Sequence, residues 1–236
     1  MLTGEKIYIH NAPVADFAVV LAVTDPNWGS AAASPSSWWT STSRCQPRVP
    51  RTQDGPAGLA GRRAGVRLRP TAGRRPPRRG RQGLGYMMKV LAKGRLGISG
   101  LSLGISRAAL DAATRQSLDR SQFGKPISAN QGISFSLATV ATELRAGTAL
   151  SVEAARALDT GAADAETLCS MAKLYASEGC VRHADAAVQV FGGNGFIRGY
   201  EVERLYRDAR ITKIYEGTSE MQRLIISRAV LKGAAA

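Results

Sequence analysis

From Tyr86 to the C-terminus the chain keeps a helical rhythm, broken only by short clusters of glycine, proline and small polar residues. Between Tyr86 and Arg120 apolar residues return at three- and four-residue steps: Met87, Val90, Leu91, Leu96, Ile98, Leu101, Leu103, Ile105, Ala109 and Leu110. That spacing places them on one face of an α-helix. Gly124-Lys125-Pro126 ends it. A second helix is predicted over 128–158, stopping in Asp159-Thr160-Gly161-Ala162. A third runs from about 164 to Phe191 and stops at Gly192-Gly193-Asn194-Gly195, where an αL cap is expected. A shorter helix covers 202–210. The last begins at Ser219, whose S-x-x-Q spacing to Gln222 is that of a capping box, and continues through Leu224, Ile225, Ile226 and Val230. Long helices joined by short turns make residues 83–236 a mainly α domain, an antiparallel four-helix bundle. Gly94, Gly97, Gly100 and Gly104 predict close approach of a neighbouring helix, despite their cost to helix stability. The Ala-rich stretch 136–158 suits tight packing and contacts between subunits.

Ahead of the last helix stands Ile214-Tyr215-Glu216-Gly217-Thr218-Ser219. Gly217 permits a sharp turn and the close approach of a ligand. Backbone N–H groups at a helix start favour partial negative charge in whatever they face. Glu216 is therefore either a carboxylate at the mouth of a site or a solvated residue in a capping loop.

The segment Arg207–Arg223 resembles the C-terminal signature of the acyl-CoA dehydrogenases through Asp208, Ala209, Ile214, Tyr215, Glu216, Gly217, Thr218, Ser219, Gln222 and Arg223. These flavoenzymes desaturate acyl-CoA thioesters. The resemblance implies that Glu216 is the base removing the thioester α-proton, while FAD accepts the β-hydride. Its own backbone N–H would be one donor to the thioester carbonyl. It also implies an acyl-CoA substrate, an electron-transfer flavoprotein as partner and a homo-oligomer, dimer or tetramer.

Further site residues follow from the same resemblance. Arg120, Gln122, Phe123, Gly124 and Lys125 match a segment that contacts the FAD of a neighbouring subunit, with the arginine near the pyrophosphate. By its chemistry alone, an arginine in a Gly/Pro turn is a solvated residue or a phosphate clamp. Asn130 and Gln131 match another FAD contact. Gln189, Gly192 and Gly193 match an element that approaches the adenosine half, and Thr218 and Glu220 complete the cofactor set. Arg95 and Gly217 correspond to acyl-CoA contacts, although the aspartate usual three residues before that arginine is Ala92 here. Family members that place the base on this first helix carry glutamate near Gly94, which leaves Glu216 as the candidate. Asp208 and Arg210 are expected to anchor the loop by local pairing. His183, with no carboxylate in reach by spacing, is read as structural. No cluster has metal-ligand spacing.

The first 82 residues read differently. Lys6–Ile9 and Phe17–Val23 are predicted strands around an Asn11-Ala12-Pro13 turn, a hairpin too small to stand alone. Gly4-Glu5-Lys6-Ile7-Tyr8-Ile9-His10-Asn11-Ala12 resembles the family's flavin-contacting motif. His10, however, replaces a small hydroxyl residue that bonds the flavin ring. Met1 falls inside this motif, so residues 1–28 are expected to be a remnant of the β-domain, without the N-terminal helical domain.

Residues 29–82 hold twelve Arg, no Lys and one acid, +11 of the formal net charge of +14, together with seven of the ten prolines. No helix or strand period is evident there, and the segment is expected to be disordered. Its acid-poor Arg/Pro/Ala/Gly/Ser mixture is that of out-of-frame translation of GC-rich DNA, and a compensated double frameshift is expected. Two other readings of the chain remain: an inactive, oligomerising remnant, or a polyanion-binding fusion acting through the arginines. Nucleic acid is not the expected partner, because the remaining residues carry only +3 (14 − 11). Cys45, Cys169 and Cys180 show no C-x-x-C spacing and no apolar run reaches membrane-spanning length, so a reducing, cytoplasmic setting is expected.

Overall fold

The computed structural model describes residues 17–23, 38–47, 66–68 and 83–234. The chain divides into two units, residues 1–90 and 91–236. In the first, β1 (Phe17–Val23), β2 (Trp38–Pro47) and β3 (Val66–Leu68) form an antiparallel sheet in chain order, with Phe17 opposite Arg44, Val23 opposite Trp38, and Cys45 opposite Leu68. The predicted strand Phe17–Val23 is present, but its described partner is β2. The hairpin's other strand, Lys6–Ile9, lies outside the described residues, as does His10. β2 and β3 also correct the reading of 29–82 as a segment without strands. Trp38-Trp39-Thr40 and Thr42 are strong strand formers, and the Arg/Pro-rich composition around them obscured that local preference.

The helical elements follow the predicted order. They are α1 (Gly83–Asp119), a tight hairpin of β4 (Ser121–Gln122) and β5 (Lys125–Pro126), a 3₁₀ turn at Ile127–Ala129, α2 (Gln131–Thr160), α3 (Ala165–Phe191), the short α4 (Gly193–Phe196), α5 (Glu201–Thr212) and α6 (Ser219–Ala234). Helix α3 is the hub, packing against α2, α5 and α6. Its interior face is almost all small: Cys169, Ser170, Ala172, Ala176, Ser177, Cys180, Ala184 and Ala187 are buried. Near one end of α3, Cys169 and Ala172 meet Ala154 of α2 and Leu96 of α1. Near the other, Ala187 and Val190 meet Ala109, Ala112 and Ala113 of α1 and Val202 and Leu205 of α5. α1 and α3 therefore run the same way, with α2 returning between them.

Small side chains let these helices come close, and the hydroxyls among them bond within their own helices. Ser102 donates to Ile98 O, Ser117 to Thr114 O and Ser170 to Glu166 O, so burial leaves none of the three unsatisfied. The predicted role of the α1 glycines needs correction. A Cβ at Gly97, Gly100 or Gly104 would meet nothing within 4 Å. A repeat of small residues does not say which face of a helix is covered. The close approach is made instead by Gly147 of α2, where a Cβ would stand 3.1 Å from Leu103 and 3.2 Å from Tyr175. The stop at Gly192 also differs from the expected αL cap: φ is 60° but ψ is −137°, and α4 begins at the next residue.

Candidate functional site

Glu216 sits in the loop between α5 and α6 with φ 53°, in the left-handed region that side chains disfavour. Gly217 follows at φ 89°, and a Cβ there would lie 2.7 Å from Gln222 Nε2. Glycine is thus required at 217 on two counts. The strained pair is held by several bonds at once. Tyr215 N–H donates to Ile211 O and Ser219 N–H to Lys213 O at 3.1 Å. The Gln222 amide, fully buried, donates to Glu216 O at 3.2 Å and to Gly217 O at 2.9 Å. Lys173, wholly buried on α3, donates to the same Gly217 carbonyl at 2.7 Å. Backbone strain persists where surrounding contacts over-determine it, and this occurs preferentially at functional sites.

The capping box is modified here. Helix α6 is capped by Thr218, whose Oγ1 accepts from Met221 N–H at 3.4 Å. Gln222 does not reach back to Ser219; its side chain is used to hold the Glu216 loop. Asp208 pairs locally within α5, accepting from Arg204 at 3.2 Å, a bond within the helix and not to the loop, and Arg210 makes no ion pair among the described residues.

The Glu216 carboxylate reaches back to α1. A Cβ on Gly94 would stand 3.0 Å from its Cδ and closer still to Oε2. Next to Gly94, Arg95 is 6% exposed, and its Nε has no hydrogen-bond partner among the described residues; neither has the Oε1 of buried Gln222. Arg95, Lys173, Glu216, Gly217 and Gln222 thus make one cluster containing a buried donor and a buried acceptor not yet used. Lys173 is the member that sequence reasoning missed. Burial, the largest influence, brings its pKa down from 10.5 to about 8, against the pull of Glu178 and Glu216.

The second group of predicted residues lines a cavity of about 550 Å³ at the other end of the bundle. Arg120, Gln122 and Phe123 come from the hairpin after α1, Asn130 from the start of α2, and Gln189, Gly192 and Gly193 from the end of α3; Gln116, Ile127, Ile133 and Phe191 complete much of the wall. Phe123 and Gly124 are the central residues of the hairpin, with φ 53° and 79°. A phenylalanine in that conformation is unusual, and this one is 97% exposed. One guanidinium, several amides and a glycine-rich backbone beside apolar side chains match the needs of a phosphate-bearing nucleotide. Gln131 is exposed at the start of α2, outside this lining. Thr218 and Glu220 stand at the head of α6 with the Glu216 cluster.

The two groups are far apart. From Gly94 to Gln116 the helix α1 advances about 33 Å, at about 1.5 Å per residue. Predicted cofactor contacts therefore divide between two places on one chain.

His183, the other singled-out residue, is buried and joins three helices. Its Nδ1 lies 3.0 Å from Ser106 Oγ on α1, and its Nε2 lies 3.0 Å from Glu143 Oε2 on α2. The structural reading fits, but the carboxylate partner that spacing did not reveal is there, supplied by another helix. Burial lowers the His183 pKa, partly countered by Glu143. No group of three His, Cys, Asp or Glu that could hold a metal ion occurs among the described residues, and no helix among them is long and apolar enough to cross a membrane.

Comparison with known proteins bears on the family and the fold. Residues 81–231 match the family model described as acyl-CoA dehydrogenase, C-terminal domain. An acyl-CoA dehydrogenase of Bacillus subtilis is 40% identical over 242 residues, covering 99% of this chain and 61% of that protein. The caffeyl-CoA reductase-Etf complex subunit CarC of Acetobacterium woodii is 37% identical over 240 residues, covering 98% and 61%. The structure of butyryl-CoA dehydrogenase from Megasphaera elsdenii superposes with a TM-score of 0.82 at 31% identity, covering 97% of this chain and 59% of that one. The chain spans less than two thirds of the length of each. With its helical unit matched in sequence and in fold, the chain belongs to the acyl-CoA dehydrogenase family.

Proposed function

We propose that the chain takes part in FAD-dependent α,β-dehydrogenation of an acyl-CoA thioester, with Glu216 as the base. The observation that carries this reading is the strained turn that fixes the Glu216 carboxylate against the Gly94 backbone. A carboxylate held in one place by a rigid frame is ready to accept a proton without first being ordered. It takes the proton from the carbon beside the thioester carbonyl. The Glu216 N–H, for which no acceptor is found among the described residues, is the available donor to that carbonyl as negative charge gathers there. Gly217 keeps the approach free of a side chain. When bound, FAD supplies the acceptor for the electron pair leaving with the β-hydrogen.

The residues suited to holding FAD are Arg120, Gln122, Phe123, Asn130, Gln189, Gly192 and Gly193 around the cavity, with Gln131 close by in sequence. Since some 33 Å of helix separate that cavity from Gly94, the reading includes a homo-oligomer in which each cavity serves the cofactor facing another copy's Glu216. Thr218 and Glu220 would then contact the cofactor nearer the base, and Arg95 the acyl-CoA. An electron-transfer flavoprotein is the proposed redox partner.

The test is the visible spectrum of the purified chain with FAD, before and after adding an acyl-CoA. The wild-type chain should retain flavin and bleach with substrate. Glu216→Gln should retain flavin and fail to bleach. A wild-type chain that never bleaches overturns the activity of this chain, and bleaching by Glu216→Gln overturns the base.

A further inference from the structure

Lys173 is the bulkiest of the fully buried side chains among the described residues, and the proposed chemistry makes no use of it. Its one hydrogen bond among the described residues, 2.7 Å to Gly217 O, joins α3 to the Gly217–Thr218 peptide, one residue beyond Glu216. Gln222 already donates to that oxygen at 2.9 Å. Satisfying the carbonyl therefore does not require an ammonium, and removing an ammonium from water is costly. What the charge adds is a stronger bond than an amide makes, directed at the peptide one residue beyond Glu216, whose own backbone is held at φ 53°. The charges around it come from four elements: Glu178 on its own helix, Glu216 on the loop, Arg95 on α1 and Glu220 on α6. Glu178 is itself engaged with Lys213 at 2.7 Å and Arg223 at 3.4 Å.

We propose that Lys173 is the positioning residue for Glu216, its buried ammonium pinning the Gly217 carbonyl so that the turn stays closed with the carboxylate against Gly94, and that the turn loosens when Lys173 gives up its proton. The consequence for turnover rests on the reading of Glu216 as the base; the clamp itself stands on the geometry. Because desolvation leaves Lys173 titrating at about 8, the change occurs in the mildly alkaline range.

The 236-residue chain, labelled with ε-¹³C-lysine, gives the titration of Lys173 by NMR, assigned by the signal lost in Lys173→Gln. One lysine should titrate near pH 8, well below lysine's ordinary 10.5. Glu216→Gln should move it lower still, since the carboxylate that favours its charged form is gone. Amide exchange at Gly217, Thr218 and Ser219, corrected for intrinsic rate, should quicken roughly tenfold as the wild-type pH passes that titration, while α2 is unaffected. Lys173→Gln and Lys173→Met should exchange fast at every pH and show no such step. The exchange step of the wild-type chain can be read without any variant. Lys173 titrating at lysine's ordinary 10.5, or loop exchange without a step at its titration, overturns the clamp. Turnover retained by Glu216→Gln would instead overturn the base, with the exchange data still judging the clamp.

Discussion

Gly94 and Glu216, on α1 and on the loop before α6, leave room for one side chain between them: a Cβ on Gly94 would come within 3.0 Å of the Glu216 carboxyl carbon. The space between them lies open to a side chain from either element. Gly94→Ala should displace the Glu216 carboxylate and lower turnover by roughly 10- to 100-fold, the scale of an ångström's misplacement. Gly97→Ala is the control, because its Cβ meets nothing within 4 Å. It should leave turnover alone and raise stability by about 0.5–1 kcal/mol by removing a mid-helix glycine. Steady-state kinetics and thermal unfolding of the two variants decide the matter; unaltered turnover in a folded Gly94→Ala would show that the carboxylate does not depend on this space.

Phe123 combines a disfavoured φ of 53° with 97% exposure, so it contributes little to its own chain while costing backbone energy. Asparagine followed by glycine is the preferred pair for two central hairpin residues with positive φ. Phe123→Asn should therefore stabilise the chain by roughly 1 kcal/mol, seen as a higher denaturant midpoint. The same variant should weaken FAD retention or self-association, because the ring stands at the mouth of the cavity. A stabilised variant with undiminished flavin binding would remove Phe123 from the site.

Much of this architecture was legible in the sequence because its signals are local. Periodicity and the punctuation at Gly124-Lys125-Pro126, Gly161 and Gly192 placed the helix ends within a few residues, and the motif residues around Arg120 and Gln189 converge on one cavity. What was missed depends on pairs brought together by folding. Lys173, in Ala-Lys-Leu-Tyr, carries no sign that it will be buried against Gly217. Glu143 precedes His183 by 40 residues, so no helical spacing links them. Gly94, Gly97, Gly100 and Gly104 look alike in sequence, and only the packing separates the one that faces Glu216 from the three that face open space.

The His183 junction predicts acid sensitivity. Burial holds the native His183 pKa below its ordinary 6.5, so as pH falls through 6.5 the unfolded chain takes up a proton that the native chain does not. Stability must then fall with pH in that window. For Glu143, burial raises the pKa but bonds from Arg182 and His183 outweigh it, and the net shift is downward. Its contribution is therefore lost at lower pH, as the carboxylate range is crossed. His183→Asn should cost about 1–3 kcal/mol at pH 7.5 through its lost buried hydrogen bonds, and should show a shallower decline between pH 7 and 5.5 in urea unfolding. A decline as steep as the wild type's would place the acid sensitivity elsewhere.

Lys173 predicts the opposite behaviour at alkaline pH, and separates stability from positioning. Its native pKa of about 8 lies below the ordinary 10.5, so between these values the unfolded chain holds a proton that the native chain has released. Stability therefore rises with pH across that window, by roughly 3 kcal/mol in all if the whole shift is expressed. Below pH 8 the native chain carries the unfavourable buried charge in full. Lys173→Met, which removes the charge and leaves Gln222 on the Gly217 carbonyl, should then be as stable as the wild type or more so at pH 7. Its advantage should shrink between pH 8 and 10. Chemical unfolding of both proteins at pH 7, 8.5 and 10 makes the comparison. A Lys173→Met protein that is markedly less stable at pH 7, with the same pH dependence as the wild type, would mean that the ammonium is held for stability. A stable variant with a loosened Glu216 loop would mean that this part of the fold keeps a costly charge in order to hold one peptide in place.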